Sequence, residues 1–198
     1  MKYVEVECKF RLEDCRILKT HLYKLGAKKS GTVRQVDTYY NAPHRDFLAP
    51  DIVSEWFRIR DENGKISINY KRWLPLGVKE KTHCDEFETV LEDGEAAQRL
   101  LEALDFSELV KVDKVREKWV LGDSFVVALD SVAGLGSFVE FEYKGNTESV
   151  EDASEQLTHL IEEIGIKLGE RDRRGYPYQL LERQGHEPHG SARGVDPG

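Results

Sequence analysis

Apolar and polar positions alternate with a period of two in one segment of the chain after another. From Val4 to Phe10, Val4, Val6, Cys8 and Phe10 fall on one side and Glu5, Glu7 and Lys9 on the other. Successive side chains of a strand point to opposite faces, so this spacing predicts a strand wet on one face and packed on the other. Phe57-Arg58-Ile59-Arg60 repeats the pattern, as does Ile66-Ser67-Ile68-Asn69-Tyr70-Lys71. Glu86-Phe87-Glu88, Lys114-Val115-Arg116-Glu117-Lys118 and Val139-Glu140-Phe141-Glu142-Tyr143 follow it too, with Glu117 out of phase. Val126-Val127-Ala128-Leu129-Asp130 is an apolar run ending in a carboxylate. Such segregation is the strongest strand signal a single sequence carries. The polar faces carry full charges of both signs. Across a closed sheet they would line a polar channel, and the apolar faces would point outward and need covering.

Three amphipathic helices are available as covers. Residues 13–25 place Ile17, Leu18, His21, Leu22 and Leu25 at helical spacing, with Gly26 as a stop. Residues 93–105 place Ala97, Leu100, Leu101 and Leu104 on one side. Residues 148–164 carry Ala153, Leu157, Leu160, Ile161 and Ile164, with acidic residues at the start that complement the helix dipole, and Gly165 after them. The order lacks the strict strand–helix alternation of a doubly wound parallel sheet. It predicts an α+β fold: a closed, mostly antiparallel sheet with helices packed outside.

At 198 residues the chain fits one domain, here set at 1–182, followed by a disordered tail at 183–198 poor in apolar residues. His186 and His189 of that tail belong to solvent. The net charge of −8 disfavours a nucleic-acid-binding surface. Cys8, Cys15 and Cys84 form no CxxC pair and leave an odd one over, which points away from a disulfide framework or a zinc site and toward the reducing cytoplasm. Glu5 and Glu7 interrupt any signal-peptide core, and no apolar run reaches membrane-spanning length, so no membrane partner is expected.

Pooled, the polar faces make a chemical proposal. The cations are Lys9, Arg58, Arg60, Lys71, Lys114 and Arg116, with Lys118 at the margin of the pattern. The carboxylates are Glu5, Glu7, Asp130, Glu140 and Glu142, with Glu86 and Glu88 at the margin. Arginine forks and lysine point charges together hold a ligand bearing several negative charges. The carboxylates would repel it unless a cation lay between, and Mg²⁺ or Mn²⁺ takes carboxylate and phosphate oxygens in one octahedron. Histidine is scarce in these strands, which disfavours zinc. The alternative is a salt-bridged interior without a ligand, a costly way to bury so many charges.

Glu5-x-Glu7-x-Lys9 resembles the ExExK motif of the CYTH proteins, the triphosphate tunnel metalloenzymes. Further blocks are similar to that family in the same order: Asp37-Thr38-Tyr39-Tyr40, Phe57 to Arg60, Asn69-Tyr70-Lys71, Lys114-Val115-Arg116, Leu129 to Val132, Gly134 to Glu142, and Gly175 to Leu181. The resemblance spans roughly residues 1–182 and implies an eight-stranded antiparallel barrel whose tunnel binds a triphosphate. It implies Glu5, Glu7 and Glu142 as metal ligands with Glu140 and Asp130 close by, and Lys9, Arg58, Arg60, Lys71, Lys114 and Arg116 on phosphate oxygens. It further implies Tyr39 and Lys71 as the pair that orients an attacking water, with ordinary strand packing as the other role open to Tyr39. A desolvated lysine among other cations is tuned toward neutrality, which would suit Lys71 as a base.

Two reactions share such a site. A class IV adenylyl cyclase converts ATP to cyclic AMP and pyrophosphate; a triphosphatase hydrolyses inorganic or organic triphosphate and releases orthophosphate. The Gly134-to-Glu140 and Gly175-to-Leu181 blocks are nearer the cyclase branch. A non-catalytic polyphosphate or nucleotide sensor ranks last, because the carboxylates are all present. The expected partner is a nucleoside triphosphate or inorganic triphosphate, with the protein a monomer or homodimer. Phe47, Trp56, Trp73 and Phe106 are the aromatics open to base contact, and equally open to packing.

Overall fold

The computed structural model describes residues 3–147 and 149–185. Eight antiparallel strands form a ring: β1 (Val4–Arg11), β2 (Lys28–Asn41), β3 (Glu55–Glu62), β4 (Lys65–Leu74), β5 (His83–Leu91), β6 (Ser107–Leu121), β7 (Phe125–Val132) and β8 (Gly136–Tyr143). Their order is β5–β4–β3–β2–β6–β7–β8–β1, and β1 closes the barrel on β5 through Val4 with Asp85 and Glu5 with Cys84. Closure removes free sheet edges. A two-residue strand, β9 (Arg171–Asp172), adds to β1 opposite Phe10 and Lys9. The α+β barrel expected from the alternation is the fold observed.

The helices are α1 (Cys15–Lys24), α2 (Gly94–Ala103), α3 (Val150–Ile164) and α4 (Tyr176–Arg183). Asp14, Asp93 and Ser149 cap the first three by accepting from the backbone N–H of Arg16, Ala96 and Asp152. Each such cap contributes about 1 kcal/mol. Gly165, at φ 63°, ends α3 in the left-handed conformation that glycine takes without a Cβ penalty. The fourth helix was legible only as a motif block. It carries the folded chain through Arg183, one residue into the expected tail, and His186 and His189 lie outside the described residues.

The pattern is inverted as the alternation implied. Outside the barrel, Val6, Val127, Leu129, Val139 and Phe141 pack under Leu18 and Leu22 of α1 and Ala153, Leu157, Leu160 and Ile164 of α3. Burying a side chain such as Phe141, fully enclosed here, stabilises by about 1.5–3 kcal/mol. On the far side, Leu101 of α2 covers Tyr40, Ile59, Phe57, Ile66 and Ile68. Glu117 tolerates the apolar outer face because Lys19, Lys29 and the Trp119 indole N–H satisfy it, at 2.9, 2.7 and 2.9 Å. One end of the barrel is stoppered by Tyr39, Trp56, Val110, Val112, Val132 and Phe138 against Tyr176 and Leu181 of α4. Among the described residues no helix is long and apolar enough to cross a membrane.

Candidate active site

The inward faces enclose a cavity of about 430 Å³. It is lined by Glu5, Glu7, Lys9, Tyr39, Arg58, Arg60, Lys71, Lys114, Arg116, Glu140 and Glu142, so eleven of the twelve sequence-derived site residues share one space. Glu86, Glu88 and Lys118 line it as well, which places the marginal members of the pattern inside. Register explains the convergence: Glu7 lies opposite Glu142 and Lys9 opposite Glu140, while Asp37 lies opposite Arg60 and Lys71 opposite Glu86.

Three charge networks divide the cavity. In the first, Asp37 is fully buried and gathers three cations from the two neighbouring strands, β3 and β6. Arg60 donates from Nε at 2.6 Å and Nη2 at 2.8 Å, Arg58 donates from Nη1 at 3.3 Å, and Lys114 Nζ stands 3.6 Å away. Burial alone would raise the Asp37 carboxyl, but Arg58, Lys114 and Arg60 outweigh it and hold the group well below the usual range. Arg58 also donates to the Tyr39 hydroxyl at 3.1 Å. Lys114 is lowered to about 7 by burial and by the Arg116 charge.

The second network runs behind the first. Arg116 makes a two-pronged contact with Asp130, Nε to Oδ1 at 2.7 Å and Nη2 to Oδ2 at 2.6 Å, and reaches Glu140 at 3.1 Å. Tyr176 donates to Asp130 at 2.8 Å, and Lys9 pairs with Glu140 at 3.2 Å. Burial would raise Glu140, yet Arg116, Lys9 and Lys114 keep it ionised, well below the usual range. Asp130 is the site residue that does not line the cavity; both its oxygens are engaged by Arg116 and Tyr176.

The third network is acidic. Lys71 pairs with Glu5 and stands 3.5 Å from both Glu7 and Glu86; Glu142 pairs with Lys144. Here the structure corrects an expectation. Lys71 does not lie among cations. Burial disfavours its charge, but Glu5 and Glu7 outweigh that and hold it protonated, so it is not tuned toward a neutral base. The lysine that does sit among cations is Lys114. One ammonium cannot balance the carboxylates around Lys71: burial and neighbouring carboxylates push Glu5 up to about 8 and Glu7 up to about 7. A carboxylate cluster that must otherwise retain protons suits a hard divalent cation. Glu5, Glu7 and Glu142 could hold one, although among the described residues no three such side chains already converge as ligands.

Sequence reasoning missed Asp37 and Tyr176 as site residues, though both lie in the motif blocks. Their signal was present: Asp37 shares the inward parity of Tyr39, and a buried carboxylate opposite arginines is an anchor. Lys81, Arg173 and Arg174, which border the cavity, carried no strand pattern to reveal them.

The CYTH domain family model matches residues 4–176. A candidate adenylate cyclase of Methanocaldococcus jannaschii is 31% identical over 174 residues, 87% of this chain and 96% of that protein. The PH1819 protein of Pyrococcus horikoshii superposes with a TM-score of 0.75 at 30% identity, covering 90% of this chain and 99% of that one. An adenylyl cyclase candidate of Hippeastrum, described as having a dominant triphosphatase activity, shares the fold at 19% identity and a TM-score of 0.60, covering 94% and 99%. Buried cations facing buried carboxylates inside a closed barrel, together with these matches, place the chain in the CYTH domain family.

Proposed function

We propose that this protein is a divalent-metal-dependent enzyme acting on a triphosphate in its barrel, most closely an adenylyl cyclase that converts ATP to cyclic AMP and pyrophosphate. The observation that carries the reading is the segregation of charge within one cavity: Arg58, Arg60 and Lys114 anchored on Asp37, and the over-full carboxylate set Glu5, Glu7 and Glu142 across from them. Arg58 and Arg60 have remaining N–H donors for phosphate oxygens, and Lys114, Lys9 and Arg116 add charge at the same wall. Glu5, Glu7 and Glu142 would hold Mg²⁺ or Mn²⁺, which supplies charge neutralisation at the phosphoryl oxygens when bound. Asp130 and Glu140 serve instead to orient Arg116 and Lys9. In the cyclase reaction the ribose 3′-oxygen bonds to the α-phosphorus, its bond to the bridging oxygen breaks, pyrophosphate leaves, and the hydroxyl proton passes to solvent. Lys71 contributes charge, since its surroundings keep it protonated.

A second reading, triphosphate hydrolysis, is favoured by Tyr39, whose hydroxyl stands at the cavity wall on Arg58 where a water can be oriented. The activity described for the Hippeastrum protein supports the same reading. Fold does not choose between the two. Incubation with ATP, and separately with inorganic tripolyphosphate, in Mg²⁺ or Mn²⁺ tests the choice. Cyclic AMP with pyrophosphate is the expected result. Orthophosphate without cyclic AMP overturns the cyclase and establishes the hydrolase. Binding without turnover leaves a polyphosphate or nucleotide sensor.

A further inference from the structure

We infer that Trp73, with Val53 and Pro177 beside it, is a nucleobase platform at the α4-covered end of the cavity, which sets the direction in which a nucleoside triphosphate lies in the barrel. The inference rests on the reading of the cavity as a triphosphate site. Among the described residues, four aromatic side chains line the cavity: Tyr39, Trp56, Trp73 and Tyr176. All four belong to the same end, at the close of β2 and β4, the start of β3, and the start of α4. The opposite end is lined by Ser30, Lys118, Val120, Val126 and Lys144, with no ring among them. Among the described residues, a planar, weakly polar group therefore has surface to stack on at one end of the cavity only.

Three of the four rings are already engaged. Tyr39 and Trp56 meet edge to face at 5.6 Å and are buried. Tyr176 packs on Phe138 at 4.9 Å, under Lys9 at 4.3 Å and Lys114 at 5.2 Å. Trp73 differs: it packs against the edge of the cluster that holds the other three, yet it stays half-buried. The Lys71 ammonium stands 6.0 Å from its ring centroid. Lys71 and Trp73 share the inward face of β4, and Trp56 lies opposite Lys71 on β3. The face therefore reads Arg58 with Asn69, then Trp56 with Lys71, then Trp73. At the rise of a strand, Trp73 stands about 13 Å from the Arg58–Asn69 level, a length comparable to that of a nucleoside triphosphate from its base toward its terminal phosphate. Lys81, held by Ser54 Oγ at 2.8 Å and the Pro75 carbonyl at 2.7 Å, borders the platform and offers a donor to a base or ribose acceptor. Inorganic tripolyphosphate uses the charged wall alone; a nucleotide uses the wall and Trp73.

The test is a calorimetric titration of the full chain, with Mg²⁺, using α,β-methylene-ATP and inorganic tripolyphosphate as probes, on the wild type, Trp73→Ala and Trp73→Phe. Base stacking on an aromatic side chain, removed by alanine, predicts that Trp73→Ala weakens the nucleotide roughly tenfold or more, while tripolyphosphate changes by less than about twofold. Trp73→Phe retains a ring and recovers most of the nucleotide affinity, which separates stacking from a folding defect. Equal weakening of both probes, or an unchanged nucleotide affinity, overturns the platform and leaves the triphosphate site standing. A wild type that binds neither probe overturns the triphosphate reading and the platform with it.

Discussion

Replacing Asp37 with asparagine keeps the shape of the side chain and removes the charge on which three buried cations converge. Arg60, Arg58 and Lys114 would then face one another with Asp37 no longer a counter-ion. Removing one partner of a buried, hydrogen-bonded ion pair destabilises by about 3–5 kcal/mol, because the remaining charge is left uncompensated in a low-dielectric site. For a chain of this size that corresponds to a fall in Tm of roughly 6–20 °C. The loss has a pH signature. Asp37 titrates below its ordinary value in the folded state, so the folded protein binds fewer protons than the unfolded chain in acid. Its contribution is therefore present above the unfolded carboxylate range and fades as pH falls through the folded value. The gap between wild type and Asp37→Asn should begin to narrow only below about pH 4 and go on narrowing as the pH falls further. The cationic wall left behind is also better neutralised by a polyanion, so saturating tripolyphosphate should narrow the gap in Tm between the two proteins. Differential scanning calorimetry from pH 7 down to about pH 2, with and without tripolyphosphate, measures all three effects. A difference under about 1 kcal/mol at pH 7 without ligand would refute the assignment of Asp37 as the anchor of the clamp, since that is the level of an exposed ion pair.

Glu7→Gln should lower metal-dependent turnover at least about 100-fold while shifting stability by less than about 1 kcal/mol, because burial already pushes Glu7 up to about 7; retained turnover removes Glu7 from the metal set. Lys114, lowered to about 7 from 10.5, is neutral in much of the free protein above pH 7, and phosphate binding must recharge it. The tripolyphosphate Kd should rise between pH 7 and 9, by at most about tenfold per unit, and Lys114→Arg should flatten that rise; a flat wild-type profile measured by titration calorimetry would contradict it. Tyr39→Phe should reduce orthophosphate release by about tenfold or more while cyclic AMP formation stays within about twofold; equal losses in a product assay would make Tyr39 a packing residue.

Much of the barrel was legible because strand parity is local. Once Val6 and Phe141 are read as outward, Glu5, Glu7, Glu140 and Glu142 must point inward, whatever the rest of the chain does. β2 was harder: Lys28 to Gly31 are polar on both faces, so its alternation emerges only near Asp37 and Tyr39, quoted at first for their motif alone. The three long helices announced themselves by apolar stripes, by Gly26 and Gly165 after the first and third, and by the acidic start of the third. The eight residues of α4 gave too short a stripe to separate from the loop before it.

The sequence by itself determined which side chains would occupy the interior and that both signs of charge would meet there, since each follows from spacing within a single strand. Only the tertiary structure decided the pairings. Asp37 meets Arg58, Arg60 and Lys114 because β2 lies between β3 and β6, and Asp130 turns to Arg116 and Tyr176 rather than to the cavity. Lys71 is held charged and Lys114 is lowered toward neutrality, though both are buried lysines on inward faces, because one was closed in beside β1 and β5 with their carboxylates and the other beside an arginine. The electrostatic state of a buried group depends on neighbours brought from distant parts of the chain, and strand order and barrel closure alone choose those neighbours.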